Sequence, residues 1–191
     1  MSNMMDTAIG LTLVAGRNQL YETLADRAGI TAPATGVTLV DVGCGPGSAA
    51  RVAARRGATV IGIDPSPAMR RLGRLFTPAA LAVQYEVGSA EHLPIPDASV
   101  EFVWAIGSAH HWSDVPAGLR ECRRVLAPDG RLLVVEASTA EHARGHAAHG
   151  FSHTRVDDVV SQCRDLGFDP VEVEQLASGH RRYTLIDART A

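Results

Sequence analysis

The chain has 191 residues, 46% hydrophobic and 20% charged, with a formal net charge of −3. That is enough for one domain with a sizeable core, and it weighs against a protein whose main work is gripping a phosphate backbone, which is normally strongly basic. All 18 basic residues are arginine, so the chain can form neither a lysine Schiff base nor a P-loop.

The opening residues, MSNMMDTAIGLTLVAGRN, lack the basic region of a secretory signal, and their apolar run from Ala8 to Ala15 is too short to span a bilayer. Residues 17–29 predict a helix with Leu20, Leu24 and Ala28 on one stripe, inside an N-terminal helical segment, 1–36. Short apolar runs then alternate with helical stretches, the pattern of βαβ units and a parallel sheet. Strands are expected at Val37–Val42, Thr59–Ile63, Leu81–Val87, Val100–Ile106 and Leu132–Glu136. Helices are expected at 48–56, at 67–75, and from an Asp114 cap to Leu126, with APDGR as the turn before the fifth strand. The stretch from Ser138 to His153 is the least regular and reads as a lid. Thr154 and Asp157 have capping-box spacing ahead of a helix that reaches Leu166 and stops at Gly167. Val171–Leu176 and Arg182–Ile186, joined by ASGHR, predict a closing antiparallel hairpin. Cys44, Cys122 and Cys163 match no zinc spacing and point to a reduced, cytoplasmic setting. No stretch approaches a transmembrane segment, and no membrane partner is expected.

The strongest chemical signal is Asp41-Val-Gly43-Cys-Gly45-Pro-Gly47, directly after a strand. A glycine-rich strand-to-helix turn lets a ligand approach the backbone, and the helix start offers unpaired N–H groups. The spacing is GxGxG rather than the GxGxxG of nicotinamide sites. Asp64 ends the next strand, 17 residues after Gly47, and a carboxylate there can accept hydrogen bonds from ribose hydroxyls.

With these residues the sequence resembles the class I S-adenosylmethionine-dependent methyltransferases, most of all the small-molecule branch that includes the quinone-biosynthesis enzymes. DVGCGPG matches the first motif and IGIDPSPAM the second. GSAEHLPIPDASVEFVWAIGSAHHW is similar to the block from the third strand to the fourth, and LAPDGRLLVVE to the fifth-strand motif. The resemblance implies a single Rossmann-like α/β domain over 1–191, with a seven-stranded, mostly parallel sheet, an antiparallel last strand and three layers. It implies S-adenosylmethionine as cofactor, S-adenosylhomocysteine as product and a small-molecule acceptor, with no nucleic-acid partner. Gly43, Gly45 and Gly47 would line the methionine half, and Asp41 would help hold its amino group. Asp64 would hold the ribose, with Pro65 and Met69 near the adenosine. Ser89, where the family often has Asp, would lie with Ala90 and Glu91 near the adenine. Ala105 and Ile106 would close the site beside the sulfonium.

Beyond the fourth strand come His110, His111 and Trp112. Ligands in open α/β sheets sit past the carboxyl ends of the strands, so His110 and His111 are the candidate catalytic residues, with histidine able to serve as a base near neutral pH. His142, His146, His149 and His153 are spaced 4, 3 and 4 apart. Gly145 and Gly150 weaken a helix there and no carboxylate or cysteine completes a motif, so no metal is expected. Arg51, Arg55, Arg56, Arg70, Arg71 and Arg74 read as solvated helix faces. Two rival functions stand beside methyl transfer: a cofactor-binding partner subunit without catalysis, and a nicotinamide-dependent oxidoreductase.

Overall fold

A computed structural model describes residues 18–30, 36–141 and 149–191. The apolar run Ala8–Ala15, most of the 1–36 segment outside its helix, His142, His146 and the middle of the 138–153 lid lie outside the described residues. Helix α1 covers 18–27. It is followed by β1 (Thr38–Val42), α2 (Ser48–Arg55), β2 (Thr59–Ile63), α3 (Pro67–Phe76), β3 (Val83–Glu86) and β4 (Val100–Ile106). A short 3₁₀ turn, Ala109–His111, leads to α4 (Val115–Val125), β5 (Leu126–Ala137), α5 (His153–Asp165), β6 (Phe168–Ser178) and β7 (Arg181–Thr190).

The seven strands form one sheet in the order β3-β2-β1-β4-β5-β7-β6. The first five pair in parallel, and β7 runs antiparallel to both β5 and β6. The central strands are rich in Val, Leu and Ile because both faces are covered. Val40, Val103 and Val134 face a core built with Leu119 and Val125 of α4 and Val156 and Val159 of α5. Leu39, Trp104 and Leu133 face the opposite core, with Leu20 and Leu24 of α1 and Val52 of α2. The α1 stripe of Leu20, Leu24 and Ala28 is buried as its spacing requires.

The termini of the elements follow side-chain chemistry. Asp114 caps α4 by accepting a hydrogen bond from the Ala117 N–H at 2.9 Å. Ser66 caps α3, with Pro67 in its first turn. At α5 the cap is Ser152, which accepts from the Arg155 N–H, and not the predicted Thr154, which lies inside the helix. Glu141 serves the Thr154 N–H at 3.1 Å, so both donors are met from outside the expected box. The APDGR turn persists as a bulge inside β5: Val100 pairs with Leu126, Phe102 already pairs with Arg131, and Asp129 has φ 59°. The closing hairpin is longer than expected, from Phe168 to Thr190, and turns on Gly179 and His180.

The reversal of strand order between β1 and β4 opens a crevice at their carboxyl ends. The segments that leave β1, β2, β4 and β5 converge there.

Candidate functional site

The glycine loop after β1 folds back onto the end of β2. The Gly43 and Cys44 N–H groups donate to the Ile63 carbonyl at 2.8 and 3.1 Å. The Gly45 N–H donates to Asp64 Oδ2 at 2.9 Å, and the Ser66 N–H donates to Asp64 Oδ1 at 2.8 Å. One buried carboxylate thus ties the loop to the start of α3. Each carboxylate oxygen has a second lone pair, so this tether leaves Asp64 able to accept further hydrogen bonds. Arg51 secures the other side of the loop through the Pro46 carbonyl at 2.6 Å, and Arg70 holds the Asp64 carbonyl at 2.5 Å.

The three loop glycines have different neighbours. A Cβ on Gly43 would lie 2.5 Å from Ser108 Cβ, and one on Gly47 would lie 1.8 Å from the Tyr85 hydroxyl, so both are packed against protein. A Cβ on Gly45 would meet nothing within 4 Å, although φ is +53°. The open face of the loop is therefore at Gly45.

Asp41 lies beneath the loop, 2% exposed. Its Oδ2, like the nearby Trp104 Nε1, has no hydrogen-bond partner among the described residues. Burial pushes the Asp41 carboxyl up to about 7, and the charge of Asp64 adds to that, while the dipoles of the Ala50 N–H and the Trp104 indole oppose it. Burial, then the charges of Asp41 and Asp64, likewise pushes the Cys44 thiol up, which leaves no reactive thiolate in the loop.

The structure places the remaining expected residues unevenly. Pro65 and Met69 are exposed at the start of α3, beside Asp64. Ser89 forms an isolated bridge with His92, and Ala90 is buried. Glu91 is committed elsewhere: its Oε1 accepts from the Ser113 and Asp114 N–H groups at 2.7 and 3.2 Å. Burial raises its carboxyl, but those bonds, its own N–H and the Ser89 hydroxyl hold it below the usual range. Ala105 is fully buried and Ile106 half-buried. The residues that line the mouth of β4 are Gly107 and Ser108, the latter bonded to the Val42 carbonyl at 2.6 Å. Trp112 packs on α4, where a Cβ on Gly118 would lie 2.5 Å from its ring, so it belongs to the core.

Four of the arginines read as solvated are structural tethers. Besides Arg51 and Arg70, Arg56 bridges to Glu22, Asp26 and the Ile30 carbonyl, and Arg74 reaches the Tyr85 carbonyl. The polar groups that guanidiniums need are backbone carbonyls at strand and helix ends, which a sequence pattern does not reveal.

At the carboxyl ends of β4 and β5 stands a histidine cluster. His110 Nδ1 is 2.8 Å from Glu136 Oε2, and the His110 N–H donates to Glu136 Oε1 at 3.1 Å. Glu136 is 1% exposed. On the other side of the ring, His110 Nε2 is 3.3 Å from His149 Nδ1, and the His110 and His111 ring centroids are 3.9 Å apart. His149 does not continue into a helix with His153. Gly150, at φ +146°, crosses β5 so closely that a Cβ would lie 2.0 Å from the Ala137 carbonyl oxygen, and Phe151 pairs with Ser138. Burial, then the His110 and His149 rings, holds His111 below the usual histidine range, against the pull of Glu136.

The cofactor that the sequence resemblance implies fits these residues. An unpartnered carboxylate oxygen suits an ammonium group, a doubly anchored carboxylate suits a ribose diol, and the open side of Gly45 suits close backbone approach.

Comparison with known proteins agrees. A profile of the methyltransferase domain matches residues 40–134. The 27-O-demethylrifamycin SV methyltransferase of Amycolatopsis mediterranei is 33% identical over 171 residues, 81% of this chain and 62% of that protein. The ubiquinone/menaquinone biosynthesis C-methyltransferase UbiE of Rubrivivax gelatinosus is 37% identical over 110 residues, 58% of this chain and 43% of that one. The chain thus spans about half the length of these relatives. Among solved structures, the [4+2]-cyclase SpnF superposes with a TM-score of 0.75 at 22% identity, over 91% of this chain and 81% of that chain, a likeness of fold. Motifs, sheet order and relatives together show that the chain belongs to the class I S-adenosylmethionine-dependent methyltransferase family, in the branch that includes the quinone-biosynthesis enzymes.

Proposed function

We propose that the chain transfers a methyl group from S-adenosylmethionine to a hydroxyl of a small molecule. One observation carries the reading: Gly45 and Ser66 converge on the Asp64 carboxylate at the carboxyl ends of β1 and β2, with the free side of Gly45 facing open space. Asp41 and the backbone of Gly43, Gly45 and Gly47 would hold the amino-acid end of the cofactor, Asp64 the ribose, and Pro65, Met69, Ser89 and Ala90 the adenosine. Glu91 would act on the adenine side only through the loop it clamps. When bound, the cofactor supplies an electrophilic methyl group.

What the chain must do is align an acceptor and manage its proton. A hydroxyl has to lose its proton as it is methylated, and His110 is built to accept one. Glu136 accepts the Nδ1 proton, fixes the tautomer and leaves the Nε2 lone pair on the far side of the ring, 3.3 Å from His149 Nδ1. His111 and His149 flank that position. By their names, the two relatives above are a 27-O-demethylrifamycin SV methyltransferase and a C-methyltransferase of ubiquinone/menaquinone biosynthesis, which supports a small-molecule acceptor.

The test is release of S-adenosylhomocysteine from methyl-labelled cofactor in the presence of phenols, hydroquinones and aliphatic alcohols. Label should pass to at least one hydroxyl compound and to neither tRNA nor duplex DNA. Label found only on a nucleic acid would overturn the reading. Cofactor binding without transfer to any compound class would favour the alternative, a binding subunit without catalysis.

A further inference from the structure

We infer that His110, His111 and His149 form a binding site for one divalent transition-metal ion of the zinc class. Ligand nitrogens of the three rings all lie within 4.8 Å of one another. They come from two segments far apart in sequence: the 3₁₀ turn after β4 and the chain returning over β5. The expectation of no metal rested on the cysteine spacing and on the histidine run 142–153. The structure instead takes one histidine from that run and adds two from elsewhere.

Three features point to an ion rather than to a chance meeting of rings. First, His110 Nε2 and His149 Nδ1 are 3.3 Å apart. A tetrahedral zinc with bonds of about 2.0–2.1 Å holds two nitrogens about 3.3–3.4 Å apart. Second, the other nitrogen of His110 is fixed by the buried Glu136 at 2.8 Å. This carboxylate–histidine arrangement orients metal-binding imidazoles and raises their basicity. Third, the His111 ring lies against His110 at 3.9 Å between centroids, which brings a third imidazole to the same pair. The His111 and His149 rings are 5.5 Å apart edge-on, and the exposed His111 side chain can rotate to close the remaining gap.

The donor set selects the ion. Three neutral imidazoles without a thiolate suit zinc, cobalt, nickel or copper, and not magnesium or calcium. Three protein nitrogens leave a fourth position for an oxygen ligand, from water or from a hydroxyl compound in the crevice. Glu136 contacts His110 on the side of the ring opposite the proposed ligand nitrogen.

The inference does not depend on methyl transfer. The ion and an acceptor's proton address the same lone pair, on His110 Nε2. Ion binding is therefore measured without cofactor, and methyl transfer on chelator-treated protein, so either reading can fail alone. The experiment titrates the untagged, chelator-treated chain with Co²⁺ and follows its visible absorption. One equivalent should bind as a four- or five-coordinate species and be displaced by Zn²⁺. His149→Ala, an exposed position, should keep the melting temperature of the metal-free chain and lose binding by at least tenfold. Glu136→Gln should weaken binding roughly 10–100-fold, the usual cost of losing such a partner. Absence of cobalt absorption at equimolar protein and ion would overturn the inference. So would affinity unchanged in both His110→Ala and His149→Ala, which would place the ion elsewhere.

Discussion

Asp41 gives the fold a pH dependence that can be measured without knowing the acceptor. Its carboxyl stands at about 7 rather than the ordinary 3.8, chiefly because burial disfavours the anion and secondarily because Asp64 is close. The folded protein therefore keeps a proton on Asp41 that the unfolded chain has released above about pH 4. Stability from this residue is full below pH 4 and is lost as pH rises through 7. With those two values, the loss between pH 5 and 8.5 amounts to about 2–3 kcal/mol. Asp41→Asn keeps the shape and an acceptor for the Ala50 N–H but removes the titration. Melting curves of both proteins at matched ionic strength should then diverge. Wild type should fall by roughly 5–10 °C relative to the variant over that range, at the 2–4 °C per kcal/mol expected for a chain of this size. Curves that stay parallel from pH 5 to 8.5 would refute the argument. If an ammonium group of the cofactor seats beside Asp41, S-adenosylhomocysteine should also bind more tightly to wild type as pH rises from 6 to 8, with a smaller change in Asp41→Asn.

Other substitutions probe the same framework. Asp64→Ala should weaken S-adenosylhomocysteine binding by roughly 1.5–3 kcal/mol, the scale of a charge-assisted hydrogen bond, and calorimetry reads this directly. Gly150→Ala forces a Cβ to within 2.0 Å of the Ala137 carbonyl oxygen. It should cost roughly 1–3 kcal/mol in urea unfolding, and unchanged stability would count against the crossing. His110→Ala should leave S-adenosylhomocysteine affinity within about threefold. Once an acceptor is in hand, it should lower the rate by roughly 10²–10⁴ if the ring takes the acceptor proton.

Much of this was legible in the sequence because the information is local. The glycine loop, the Asp64 strand end and the alternation of apolar runs with helical stretches each sit within a few residues. The histidine cluster is not local. Glu136 carries a signal of its own, a charged residue closing the apolar run LLVV. Its partner, however, stands 26 residues earlier and is found only when β4 and β5 are paired in register. His149 reaches His110 because Gly150 lets the chain cross β5 at a distance no side chain permits. Read along the helix period, the same histidine suggested a face shared with His153. The misplaced cap at Thr154 has a similar cause: Ser152 and Glu141 satisfy the helix start, and Glu141 lies across a return of the chain.

The most direct measurement of the central claim is a calorimetric titration of the chain with S-adenosylhomocysteine and, in parallel, with NAD. The account predicts about one S-adenosylhomocysteine bound per chain, no heat from NAD, and loss of binding in a folded Gly45→Leu variant, whose side chain would occupy the open face of the loop. Binding of NAD without S-adenosylhomocysteine, or S-adenosylhomocysteine binding undiminished in Gly45→Leu, would contradict it.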